Sequence, residues 1–411
     1  MSVVAWVGFV VGVAMVLTTL ASVVVTLVVP RGVSSRLANV VTAAVSGLFR
    51  MLAGRRERYE DRDQLLSLAG PAVLVATLAT WLALVYFGFA LQLWPMAGNS
   101  FPRALEVAGS SMFTLGFATV SGGGPTALMF LCAGVGLAVL ALQVAYLPTL
   151  YSSFNRRETL VTMLESRSGV PAWGPEILAR HELIDNVASL SDLYARWEEW
   201  AADLAESHTT YQVLILFRSP HPLRSWITGL LSVLDAAALH LSLNPLTAPP
   251  EARPFMRMGY MALREVAAVM GIAFNPDPKP DDDVRLTREE FDEALDHLRS
   301  VGWRTERDDD EAWVHFRGWR VTYEQIAWAI ADRVDAPPAL WSGPRHEFGG
   351  ATIAPERPPH RTPVSLERKQ VRDLTRARRA AQSLEGIDVA GAEALADDAD
   401  AAAEQPADRP G

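Results

Sequence analysis

The sequence predicts an all-α membrane protein with a mostly helical cytoplasmic region. Long runs without charge are confined to the first 155 residues, and arginines are shared unevenly among the segments around those runs. Beyond them, the apolar residues of an acidic, soluble-type remainder recur at helical spacing.

Residues 3–29, 66–93 and 127–151 each meet the roughly 20 apolar residues needed to cross a bilayer. The first run carries no charge, no basic residue precedes it, and it is too long for the apolar core of a signal peptide. It is therefore expected to stay as a membrane helix. Trp6 and Trp94 stand at run ends, where aromatic rings favour the interface.

Arg31, Arg36, Arg50, Arg55, Arg56, Arg58 and Arg62 lie between the first and second runs, whereas the segment between the second and third holds only Arg103. Arg156 and Arg157 follow the third run. The positive-inside rule then predicts a multi-pass plasma-membrane protein with its N-terminus and residues 94–126 outside and its long C-terminal region in the cytoplasm. Leu37, Val41, Ala44, Leu48 and Leu52 recur at helical spacing inside the arginine-rich loop. They suit a helix lying on inner-leaflet lipid or a cytosolic helix packed on its neighbours. Cys132 is the single cysteine, so no intrachain disulfide forms. The net charge of −10 gives no reason to expect nucleic acid as a partner.

Residues 99–125 carry the chemistry. Asn99 or Ser100 can cap a helix, Pro102 suits its first turn, and residues 103–113 provide three turns of small or apolar side chains. Thr114-Leu115-Gly116-Phe117-Ala118 and a glycine run at 122–124 come next. A helix too short to span, followed by an apolar glycine-containing segment, fits a re-entrant loop. Non-helical backbone at membrane depth is tolerated where protein buries it or water lines it. A ring of such segments can point backbone carbonyls at a file of cations. The negative C-terminal end of the short helix favours cations too.

The register Phe101-Pro102-Arg103-Ala104-Leu105, a gap, and Thr114-Leu115-Gly116-Phe117 resembles the pore module of bacterial two-helix potassium channels. Those carry an aromatic-Pro-Arg-Ala-Leu start and a Thr-Val-Gly-Tyr-Gly filter at the same separation. The resemblance covers about 90 residues. It implies a tetrameric two-helix-plus-pore-loop cation channel, since one chain holds one pore segment and a filter ring needs four. It also implies an ion-selectivity filter of Thr114, Leu115, Gly116, Phe117 and Ala118, with K⁺ as the permeant ion and no other cofactor. Thr114 would supply the innermost site, the next residues their carbonyls, and the Phe117 ring would pack outward. Ala118 replaces the family's final glycine, where left-handed backbone would cost roughly 1–2 kcal/mol per residue. Thr119 replaces an Asp, and Phe117 a Tyr.

In the third run, Gly134 and Gly136 fit close helix packing or, as the resemblance implies, a gating hinge together with Pro148. Pro148 is expected to kink or end the helix. Val144, Leu147 and Tyr151 are candidates for a hydrophobic constriction.

The organisation expected is a membrane helix (1–30), a basic interfacial helix (31–65), the pore module (66–155), a helical cytoplasmic domain (156–275), a small accessory domain (276–335) and a Pro-rich, basic-helical, acidic tail (336–411). Thr287 and Glu290 have capping-box spacing. Trp313-Val314-His315-Phe316 is read as a short strand, residues 323–332 as a helix, and residues 366–384 as a basic helix with Arg368, Lys369, Arg372 and Arg376. No dinucleotide fingerprint follows a predicted strand, no P-loop is present, and residues 3–29 lack the arginines of a voltage sensor. His181, Glu182 and Asp185 could share a helical face, but a solvated face is the commoner use of such residues, so no metal site is assigned. No nucleophile–base constellation points to an enzyme. The function expected is passive K⁺ conduction through a homotetramer in membrane lipid, gated through the cytoplasmic region by an unidentified ligand or partner. A weakly selective cation pore, because of Ala118, and a non-conducting membrane-anchored sensor or scaffold are the alternatives.

Overall fold

Long apolar runs with few internal prolines close their backbone hydrogen bonds locally, and the chain is helical from its first apolar run onward. The computed structural model describes residues 3–29, 35–343 and 353–357. Among the described residues there are thirteen α-helices and no strand beyond one bridge between Ala339 and Ile353.

The N-terminal half contributes α1 (Val3–Leu27), α2 (Arg36–Ala53), α3 (Tyr59–Leu66), α4 (Ala69–Leu93), α5 (Phe101–Met112) and α6 (Gly123–Ser168). Helix α1 packs along α4 where Gly12 meets Gly88, and a Cβ on Gly88 would stand 2.7 Å from Val16. The absent side chains let the two backbones close, as small residues do between membrane helices. Trp81 of α4 donates its indole N–H to Ser22 of α1 at 2.9 Å, and Ser22 in turn contacts Ser35 at 2.6 Å. Ser35 also caps α2 by accepting from the Ala38 N–H. Helix α2 therefore starts beside Trp81 and packs back along α4. It buries only Ala38 and Ala53, and leaves Val40, Leu48 and Met51 exposed, as a helix against lipid would.

Helix α6 is one uninterrupted element that runs from the third apolar run into the C-terminal helical core. Pro148 does not end it. The ring removes one ladder bond, to the Val144 carbonyl, and the helix continues to Ser168 because Leu150, Ser153, Arg157 and Val161 are all buried against other elements.

The remaining helices are α7 (Gly174–Leu183), α8 (Leu190–Thr210), α9 (Trp226–Leu243), α10 (Ala252–Val269), α11 (Arg288–Ser300), α12 (Asp309–Arg320) and α13 (Glu324–Arg333). They share one hydrophobic core that extends from Val161 to Trp341, so residues 276–335 pack on the same core as 156–275. Every residue of α9 is buried, with α7, α8, α10, α12 and α13 around it. Four stretches are long and apolar enough to cross a membrane: α1, α3 with α4, α6 and α9. Full enclosure leaves α9 no face for lipid, which makes it the centre of the helical core.

The capping box at Thr287 and Glu290 is present at the start of α11. Residues 313–316, expected as a strand, lie inside α12 instead. Asp308 caps that helix through the N–H groups of Asp310 and Glu311, and acidic residues fill its first turn. Ala312, Phe316 and Arg320 then turn inward at four-residue spacing. The basic helix expected at 366–384, with Arg368, Lys369, Arg372 and Arg376, lies outside the described residues.

Candidate functional site

Helix α5 is held between α4 and α6 by its small side chains, with Ala104, Val107, Ala108 and Ser110 buried. Ser100 caps it, accepting from the Arg103 N–H, and Pro102 sits in its first turn. The Tyr86 hydroxyl donates to the Leu105 carbonyl at 3.2 Å. Arg103 pairs with Glu106 at 2.7 Å and reaches the Thr119 carbonyl at 3.4 Å, which ties the start of α5 to the far end of the following segment.

The helix ends in a Schellman motif. Leu115 N–H donates to the Ser110 carbonyl at 2.8 Å and Thr114 N–H to that of Ser111 at 3.0 Å, with Thr114 in the left-handed region at φ 55°. Glycine is the usual residue there. A β-branched threonine costs roughly 1–2 kcal/mol. Gly116 is also left-handed, at φ 73°, with nothing near its missing side chain.

Ala118, by contrast, is not among the positive-φ residues. Its methyl is buried and its N–H donates to Ser110 Oγ at 3.0 Å. The strain expected at Ala118 is therefore carried by Thr114, because the chain turns at the end of α5 and Ala118 lies beyond the turn, outside the left-handed region. Ser110 holds both ends of this turn, through its carbonyl and its hydroxyl.

Leu115 and Phe117 are exposed, at 63% and 72%. The carbonyl oxygens of Thr114, Leu115, Gly116 and Phe117 accept no hydrogen bond among the described residues. All four residues are exposed, so these oxygens are open to whatever lies outside the chain.

The glycines of α6 part company. A Cβ on Gly136 would stand 2.9 Å from Met112 Cγ and 3.0 Å from the Met112 carbonyl, so this glycine lets α6 close onto the last turn of α5. Gly134 has nothing within 4 Å. It lies on the outward face of α6 with Ala138, Ala141, Ala145 and Pro148. Phe130, Leu137, Val144 and Tyr151 are exposed on that face at seven-residue intervals. Gly136 thus sits against Met112 at the end of α5, whereas Gly134 and Pro148 lie on the exposed face of α6.

The C-terminal part of α6 is fixed by Arg157, which is fully buried. It pairs with Glu158 at 2.8 Å and donates to the carbonyls of Leu214 and Phe217 at 2.9 and 2.7 Å, and to His208 Nε2 at 3.0 Å. Because a guanidinium only donates, His208 accepts at Nε2 and is neutral. Burial, and then the Arg157 charge, push its pKa well below the ordinary value. Phe217 packs edge-on against Tyr151 of α6 and occupies the space beside Gly70 of α4. Arg218, the next residue, pairs with Asp63 of α3 and donates to the Asp335 carbonyl at 2.7 Å. The loop at 211–219 thereby links α3, α4, α6 and the turn after α13.

His181 is buried and donates Nδ1–H to the Ile177 carbonyl at 2.7 Å, as a core histidine does. No group of three or more His, Cys, Asp and Glu side chains suited to a metal occurs among the described residues. Ser110 and Met112 carry no motif in the sequence, and Arg157 reads there only as a basic residue after an apolar run. Ser110-Ser111, a polar pair within an apolar helix, is the signal that could have found the first. No family model, curated protein or solved structure matches the chain.

Proposed function

We propose that the chain forms a homotetrameric cation channel whose permeation path is lined by the backbone of Thr114, Leu115, Gly116, Phe117 and Ala118, with K⁺ as the conducted ion. The observation that carries this reading is the run of four unpaired carbonyls directly after the capped end of α5. The segment lies between two helices able to span a membrane, and the sequence resembles the potassium-channel pore module at 101–105 and 114–117. The outward face of α6 supplies the surface on which copies would meet. Ala138, Ala141 and Ala145 allow close approach with a methyl already at each position, and Val144 and Tyr151 stand where a hydrophobic constriction would form.

The cytoplasmic region acts on this pore through the loop at 211–219. Arg157 is the fixed point, because any displacement of that loop pulls on the helix that carries Val144 and Tyr151. The basic loop at 31–62 supports a cytoplasmic side for this region by the positive-inside rule. Two measurements test the reading. The purified full-length assembly is expected to have four times the mass of the chain. Bi-ionic reversal potentials are expected to show K⁺ favoured over Na⁺. A monomer or dimer in several mild detergents, together with no ion discrimination, would remove it.

A further inference from the structure

Where the membrane helices meet the cytoplasmic core there is a half-open cavity of about 840 Å³, at the upper end of the range for small-molecule sites. Its walls come from α1, α2, the α3–α4 junction, α4, α6, the loop at 210–219, residues 224–226, the end of α10 and the turn after α13. Ala38 and Arg50 both line it, and they are twelve residues apart on α2, which makes the cavity about 18 Å long on that side. One leaflet of a bilayer contributes about 15 Å of hydrocarbon.

The two ends differ in chemistry. Near the start of α2 the walls are apolar, with Val73 and Trp81 of α4. Arg50 stands toward the other end of α2, and Arg224, Arg333 and Ser219 also line the cavity. Arg50 and Arg333 are exposed and have no ion-pair partner among the described residues. Ser219 Oγ and Arg224 Nε are buried donors without an acceptor, although the Arg224 terminal nitrogen is held by Glu165. Arg218 also lines the cavity, but Asp63 and backbone carbonyls occupy it. Asp335, the acidic residue of the lining among the described residues, is engaged by Arg62 at 2.5 Å.

Buried donors without acceptors are costly, and here two of them share a cavity with two uncommitted guanidinium groups. We infer that the cavity binds an anionic lipid from the inner leaflet, with one acyl chain along α2 and α4 and the phosphate among Arg50, Arg333, Ser219 and Arg224. The shape asks for an acyl chain of leaflet length, and the cationic end asks for a phosphate of the same molecule. Because the loop at 211–219 forms part of the wall, an occupied cavity would brace that loop against α6. The inference needs the chain to sit in a membrane, and does not need it to conduct. Lipid titration and ion flux therefore fail independently.

The test is a titration of delipidated full-length protein in non-ionic detergent, followed by native mass spectrometry. The probes are phosphatidylglycerol, phosphatidylcholine of the same acyl chains, and glycerol 3-phosphate. Saturable uptake of phosphatidylglycerol at one per chain is expected, with phosphatidylcholine at least tenfold weaker and no uptake of glycerol 3-phosphate. Arg50→Ala with Arg333→Ala is expected to weaken phosphatidylglycerol binding about 30-fold, from two phosphate-facing arginines. Both residues are exposed, so the lipid-free melting temperature should stay unchanged. Ala43→Trp, which fills the wall, should remove binding of both lipids. If that variant fails to fold, the arginine pair decides alone. Equal binding of the two lipids, glycerol 3-phosphate binding as tightly as the lipid, or an unaffected double variant would each overturn the inference.

Discussion

Replacing Gly134 and Gly136 separately by alanine isolates the contact between α6 and the end of α5. Both positions lie in the same helix, so the gain from removing a helical glycine, about 1 kcal/mol, is common to the two variants. The remainder differs. At Gly134 a Cβ meets nothing within 4 Å, so Gly134→Ala is expected to stabilise by about 1 kcal/mol. At Gly136 it meets the Met112 side chain at 2.9 Å and the Met112 carbonyl at 3.0 Å. The side chain can swing aside, but the carbonyl belongs to the last turn of α5 and cannot. Overpacking of this kind costs about 1–3 kcal/mol, which leaves Gly136→Ala between neutral and about 2 kcal/mol destabilised. The two variants should therefore differ by about 1–3 kcal/mol, with Gly136→Ala the weaker. Denaturant unfolding of the purified full-length protein, followed by circular dichroism, measures the difference. Met112 is two residues before Thr114, so Gly136→Ala should also lower ion flux while Gly134→Ala leaves its maximum unchanged. Equal stability of the two variants, or Gly134→Ala the less stable, would refute the packing assignment. Loss of flux in Gly134→Ala alone would return the hinge to that position.

Ala118→Gly relieves no strain, because Ala118 is outside the left-handed region and its methyl is buried. It should destabilise by about 1 kcal/mol from lost burial and leave the K⁺ to Na⁺ permeability ratio no higher than wild type, as reversal potentials would show. Ser110→Ala strands the buried Ala118 N–H and should cost about 1–3 kcal/mol in the same unfolding assay. Arg157→Met leaves Glu158 and the carbonyls of Leu214 and Phe217 without their donor. A loss of about 3–5 kcal/mol is expected for breaking a buried pair, read as a lower melting temperature. His208 is held neutral, with a folded pKa well below 6.5. The stability it confers is complete above the unfolded value of about 6.5 and is lost as pH falls below it toward the lowered folded value. Melting temperatures between pH 7 and 5 should fall less steeply in His208→Gln than in wild type.

What the sequence made legible was whatever local chemistry decides. An uncharged run of membrane length has no alternative to helix in lipid, and α1, α4 and α6 lie where the three runs were drawn. Ser100 with Pro102, and Thr287 with Glu290, define helix starts within one turn, and both starts are present. The strand expected at 313–316 failed for a related reason. Four bulky residues without alternation carry little period, whereas the Asp308 cap five residues earlier carries a definite one. Arg157 was legible only as a basic residue after a membrane run. Its burial depends on His208, Leu214 and Phe217, all more than fifty residues away in sequence. In the segment after α5, the motif pointed to Thr114 through Ala118 but misplaced the strain. Which residue of a turn goes left-handed is set by how α5 ends, and the bonds to Ser110 and Ser111 decide that. The cavity, with walls from many separate parts of the chain, had no sequence signal at all.

The account stands most directly on Rb⁺ uptake by liposomes containing the purified full-length protein with K⁺ inside. Wild type is expected to take up Rb⁺ well above empty liposomes, with Na⁺ inside supporting far less. Gly116→Val should abolish uptake while the assembly keeps its mass, because Gly116 holds φ 73° and a β-branched residue cannot do so without strain. Wild-type uptake no greater than that of empty liposomes, or uptake unchanged by Gly116→Val, would contradict the assignment of residues 114–118 as the ion path.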